Sequence, residues 1–229
     1  MSKWDYFFIF IFGLIISLLI IPVTRTFIGE SSANHPYLMG FIKTAILATY
    51  GEMIASRIMT KNYLYKKGMI YRFIIWGFLG MIFVLVFKIF DQGVRAAMNS
   101  GLLIRFDDGS VLSKLYIAFS ISFFMNLLFA PAFMALHRFT DTAIDLGKGK
   151  AKEIIKVKGR TILKTIDWQS FYGFVVFKTI PLFWIPAHTI TFLLPENYRI
   201  LSAGFLSIAL GLILTFSKMK RGKNSETLS

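Results

Sequence analysis

Tyr6-Phe-Phe-Ile-Phe-Ile-Phe-Gly-Leu-Ile-Ile-Ser-Leu-Leu-Ile-Ile-Pro-Val23 is a run of eighteen residues without one charged side chain. A helix needs about 20 mostly apolar residues to cross the hydrocarbon of a bilayer. The run lacks the period-2 alternation of a half-buried strand, and it ends in Ile21-Pro22-Val23-Thr24-Arg25 rather than in a small-x-small cleavage site. It reads as a retained signal-anchor helix. Five more apolar stretches follow: 38–56, 73–90, 115–136, 171–194 and 200–217. Of the 229 residues, 55% are hydrophobic and only 17% charged, against a usual charged fraction of about 25%. The mean hydropathy is +0.62. These values exclude disorder, coiled coil and an ordinary soluble domain. The expected fold is an all-α polytopic membrane bundle of about six spans, one membrane domain over residues 1–229.

The charges between the spans give an orientation. Lys and Arg concentrate on cytoplasmic loops, and acids hardly count. The N-terminus, the loops after spans two and four, and the C-terminal tail hold 18 of the 26 basic residues, against five in the alternate loops. Lys43, Lys88 and Lys178 lie inside spans. Six spans with both termini in the cytoplasm satisfy this distribution. A net charge of +14 in so apolar a chain points to anionic lipid headgroups rather than to nucleic acid. The largest loop, 140–167, places Ile154-Ile155 and Ile162-Leu163 about a heptad apart among Lys and Arg. A short basic amphipathic helix on the membrane surface, interrupted near Gly159, is expected there, with a solvated loop as the alternative. The tail 218–229 is expected to fray.

Polar residues inside spans are costly and face a bundle interior, a cavity or a partner. Lys88, near a span end, can snorkel to the headgroups, and Lys43 has the same escape. Glu52 has too short a side chain for that. Thr44, Ala48, Glu52 and Ser56 recur every four residues and share one helix face, as do Ala118, Ser122, Asn126 and Ala130, and Ala203, Ser207 and Gly211. Such stripes either pack helices closely or wall a narrow polar path. Span five carries Pro181 and Pro186, which remove backbone donors and break the helix. Lys178, Thr179, His188, Thr189 and Thr191 surround that break. Glu52, Ser56, Asn126, Lys178, His188 and Thr191 are the candidate pore-lining residues.

Catalytic patterns are thin. Zero Cys excludes thiolate chemistry and Cys-held metals. His137-Arg-Phe-Thr-Asp141 is one residue short of the His-x4-Asp acyltransferase spacing. Gly147-Lys-Gly-Lys lacks the following Ser or Thr and the upstream Gly of a phosphate loop. Neither His-Glu-x-x-His nor Gly-x-Ser-x-Gly occurs. No enzyme, cofactor or metal is expected.

The stretch Trp184-Ile-Pro186-Ala-His-Thr-Ile-Thr-Phe192-Leu-Leu-Pro195-Glu-Asn-Tyr198-Arg199 resembles the signature of the Mpv17/PMP22 family of small integral membrane proteins. His35-Pro36, Gly51-Glu52-x-x-x-Ser56, Arg72 with Gly77, Gly80 and Phe87-Lys-Ile-Phe-Asp91, and Met125-Asn126-x-x-x-x-Pro131 are similar to its other blocks, in order over 34–220. The departures are Ser56 and Met125-Asn126 where the family has Gln and Asp-Gln, Met81 for a Pro, and the added first span. The resemblance implies a divergent member, with a bacterial source left open, and Gly51, Trp184, Pro186, Phe192, Pro195, Tyr198 and Arg199 as motif residues. It implies a pore-like or transport role in an organellar membrane, or in the cytoplasmic membrane of a bacterium. The expected function is a channel or permeability protein for small solutes or ions. The rivals are a non-catalytic, complex-stabilising membrane protein and a lipid-binding or lipid-modifying protein working at the basic loop. Homo-oligomerisation stays open.

Overall fold

The computed structural model describes residues 2–106 and 109–226, with side chains as far as Ile213. These residues form α1 (Lys3–Ile20), α2 (Pro22–Asn34), α3 (Pro36–Thr60), α4 (Met69–Asn99), α5 (Val111–Leu128) and α6 (Ala130–Leu146). The short α7 (Ala151–Ile154), α8 (Gly159–Thr165) and α9 (Trp168–Ser170) follow, then a π-helix (Phe171–Trp184), α10 (Ile185–Leu193) and α11 (Glu196–Glu226). Among the described residues there is no strand.

Among the described residues, five helical segments are long and apolar enough to cross a membrane: Lys3–Ile20, Pro36–Thr60, Met69–Asn99, Val111–Leu128 and Trp168–Leu193. The sixth expected span is helical as part of α11, and its side chains beyond Ile213 lie outside the described residues. α11 continues through the basic tail as far as Glu226, where fraying was expected.

Proline sets several element boundaries. Pro22, Pro36 and Pro131 each sit in the first turn of a helix, where the missing N–H costs nothing. The first apolar run therefore ends at Ile20 and restarts as α2. The fourth expected span is divided at Phe129, just before Pro131. Its second half, α6, carries on to Leu146, so the start of the supposed loop is helix. The rest of that loop forms α7 and α8, and Gly159 opens α8 where an interruption was expected.

α3 and α4 pack closely because small residues face each other. A Cβ on Gly80 would overlap the Gly40 carbonyl oxygen and the Thr44 side chain, and one on Gly77 would enter the Phe41 ring. Val86, Phe87, Ala118, Met125, Phe192 and Ala203 then form the main core, where α4, α5, α10 and α11 meet. α1 is peripheral. Of its residues only Phe8 is buried, stacked on Tyr63 and packed beside Tyr50, whose hydroxyl donates to the Phe8 carbonyl at 2.9 Å. Large apolar side chains elsewhere point outward, among them Phe10, Phe78 and Phe177.

The contacts sort the connections into two ends. At one end Asp5 of α1 holds Arg57 and Tyr63 at 2.7 and 2.8 Å. Gly68 and Gly149, both at positive φ, cross there at a separation that no side chain fits. At the other end Lys88 pairs with Glu196 and Lys43 reaches Ser32 and Asn197. The segments rich in Lys and Arg before α1, after α3 and after α6 thus share an end, as alternating spans require.

Candidate functional site

α3 carries the two charged side chains that bracket the interior, Lys43 and Glu52. Nine residues of helix rise separate them by about 13 Å. Lys43 lines one cavity and Glu52 another, and a third, narrower cavity shares lining residues with both.

The first cavity, of about 420 Å³, is lined by Ser32, Lys43, Phe87, Lys88, Asn197 and Arg199 among others. Lys43 is 7% exposed. Its ammonium does not snorkel. It donates to Ser32 Oγ at 2.6 Å and to the Asn197 carbonyl at 3.2 Å. α3 places it two turns inside its N-terminus, with α2 and α11 packed over it.

The second cavity is narrow, about 50 Å³, a little more than the liquid volume of one water. It shares the Phe87 ring with the first. Asn126 and His188 supply its polar wall. Asn126 is fully buried, and its side-chain amide meets His188 Nδ1 at 3.1 Å across the α5–α10 contact. Asn126 Nδ2 also donates to the Ser122 carbonyl, and Ser122 Oγ donates to the Ile185 carbonyl at 2.7 Å. The Trp184 indole stacks on His188 with centroids 5.0 Å apart. Trp184 Nε1 is buried and has no acceptor among the described residues.

The third cavity, about 820 Å³, shares Trp76, Met134, Trp184 and Ser207 with the second. Its walls carry Glu52, Ser56, Lys66, His137, Asp141 and Asp145. Glu52 Oε1 accepts from Trp76 Nε1 at 2.8 Å, and Oε2 pairs with Lys66 at 2.9 Å. Arg72, only 1% exposed, binds Asp141 at 2.5 Å and Asp145 at 2.6 Å. His137 Nδ1 stands 3.7 Å from Asp141 Oδ2. Burial holds the His137 imidazole below its ordinary pKa, against the pull of Asp141 and Glu52.

Glu52, His137 and Asp141 bring three ligand-type atoms within 4.8 Å of one another, a donor set suited to a divalent cation. Lys66 and Arg72 already place positive charge on both carboxylates, which disfavours a second cation there.

The expected site residues divide clearly. Glu52, Ser56, Asn126 and His188 line the cavities. Lys178 does not: it is exposed on the outer side of the π-helix. The wide i to i+5 turn, seen where Ile185 N–H reaches the Ile180 carbonyl, turns Thr179 and Ile180 inward instead. Thr191 is fully buried, yet it links α10 to α11 through Ser202 Oγ at 2.9 Å and lines no cavity described above.

The motif residues build the walls and the α10–α11 corner. Gly51 lets α3 approach Ile208 of α11. Pro186 sits in the first turn of α10. Pro195 precedes α11 and accepts from Tyr198 N–H. Arg199 lies over the Phe192 ring and pairs with Asp91 at 2.6 Å. Lys43, Arg72 and Asp141, named in the sequence but not as site residues, and Trp76, not named there, also belong to the site. The His137–Asp141 spacing of four, one helical turn, was the signal that could have found Asp141. Comparison with family models, with curated proteins and with solved structures finds no match to this chain.

Proposed function

We propose that this helical membrane protein is a channel or permeability protein for small solutes or ions, and that the three cavities are its path. The observation that carries the reading is their continuity. Each shares lining residues with the next, Phe87 between the first and the second, and Trp76, Met134, Trp184 and Ser207 between the second and the third. The middle cavity is the constriction, and this conformation is closed. The unpaired Trp184 N–H, with Asn126 and His188 beside it, offers polar contacts where a solute loses its hydration. Glu52 stands in the wide vestibule, where its negative charge offsets that of Lys66. Membership of the Mpv17/PMP22 family is part of this proposal and rests on the sequence resemblance of the Trp184–Arg199 stretch and of Gly51-Glu52.

The test is solute release from proteoliposomes with a two-sided series. Phe87→Ala widens the first dividing wall and is expected to raise flux several-fold. Ser207→Leu fills the second and is expected to lower it. Loss of stability alone cannot produce opposite signs. Equal flux in both variants and wild type would reject the path.

A second reading has its own support. Ser122, Asn126 and Thr191 are hydrogen-bonded between helices, as packing stripes of a non-catalytic, complex-stabilising protein would be.

A further inference from the structure

Among the described residues, Lys43 is the one ionised group lining the first cavity without a counter-charge. Lys88 pairs with Glu196, and Arg199 with Asp91. No carboxylate among the described residues pairs with the Lys43 ammonium, which meets only the Ser32 hydroxyl and the Asn197 carbonyl. Two of its three protons are thereby engaged, and more than nine-tenths of the residue is buried. A buried ammonium needs an anion beside it unless it gives up its charge.

The surroundings point the same way. The first turns of α3 and α11 both line this cavity, through Pro36 and Met39 and through Glu196 and Asn197. Each helix N-terminus carries about half a positive charge. Glu196, the acid nearest to them, is taken up by Lys88. Val84, Phe87 and Ile200 add apolar lining beside the polar groups. A cavity of about 420 Å³ has room for an anionic headgroup with a short carbon chain.

We infer that this cavity is an oxyanion site, in which Lys43 binds the carboxylate or phosphate of a small amphiphilic acid. The inference deepens the permeation reading by naming a solute class for the Lys43 end. Its test is equilibrium binding, so that failure to bind and failure to conduct are read separately.

Purified full-length protein in non-ionic detergent is titrated with succinate and with inorganic phosphate, and thermal unfolding is followed. A second arm places the protein in nanodiscs of phosphatidylglycerol or phosphatidylcholine and counts retained lipid by native mass spectrometry. Both arms are repeated with Lys43→Met. A midpoint that rises saturably with the soluble anions, and no longer rises in the variant, supports the site with a soluble ligand. Retention of phosphatidylglycerol alone, lost in the variant, supports it with a lipid headgroup as the source. Binding that survives Lys43→Met, or no binding in either arm, overturns it. Should the variant fail to fold, acetylation of wild-type Lys43 by acetic anhydride serves instead. Protection of at least several-fold by a bound anion is expected, and equal labelling with and without each anion contradicts the proposal.

Discussion

His137 sits where charges from α3, α6 and the connection after α3 come together. Glu52 of α3 and Asp141 of its own helix lie on one side, with Lys66 and Arg138 also acting on it. Burial favours the neutral ring, so the folded protein resists its protonation. The unfolded chain takes up that proton near the ordinary histidine pKa of about 6.5. Its contribution to stability is therefore complete above that value and declines as pH falls below it, towards the lower folded pKa. Melting midpoints between pH 8 and pH 5 are expected to fall, and the fall is expected to be smaller in His137→Gln. Identical pH profiles would mean that the ring is not held neutral. At this scale the sequence was partly legible. The four-residue stripes identified Asn126 and Glu52 because helical period alone puts Asn126 with Ser122 and Glu52 with Ser56. The partners were not legible: Arg72 finds Asp145 across 73 residues and Lys43 finds Asn197 across 154. Both lysines and arginines looked like loop or interface charges, since nothing local marks a cation for burial.

The elements follow from proline, glycine and helix period. Their existence was evident from apolar length, whereas the close α3–α4 contact at Gly40, Gly77 and Gly80 was not read from the sequence. Gly80 is the strictest of these positions. Gly80→Val is expected to cost about 1–3 kcal/mol, the usual range for overpacking a tight contact, because the Gly40 carbonyl and the backbone around it cannot retreat like a side-chain end. Unfolding in a graded detergent series measures it, and an unchanged midpoint would show that the two helices can separate freely. The π-helix was the part least open to prediction. Pro181 and Pro186 announced a broken helix, but a break can resolve as a kink or as a widened turn. The widened turn was chosen, and it carries Lys178 to the outside. Phe129 divided the fourth span for the same reason, with Pro131 as the visible cause.

The whole molecule is a bundle whose basic connections meet at one end and whose Lys43 cavity opens towards the other. From the charge asymmetry we propose that the basic end faces the cytoplasm. The chain has no native cysteine, so single cysteines report cleanly. Ile155→Cys in the basic region, 84% exposed, is expected to label only after permeabilisation, and Leu102→Cys between α4 and α5, 80% exposed, from outside. The reverse pattern would invert the orientation.

Conduction along the proposed path is read from the current across a planar bilayer. Wild type is compared with Glu52→Gln, with equal insertion verified separately. Glu52→Gln removes a negative charge from the vestibule while leaving Lys66, so discrete currents are expected from both proteins, with selectivity moved towards anions in the variant. Silence from folded, inserted wild-type protein would contradict the account.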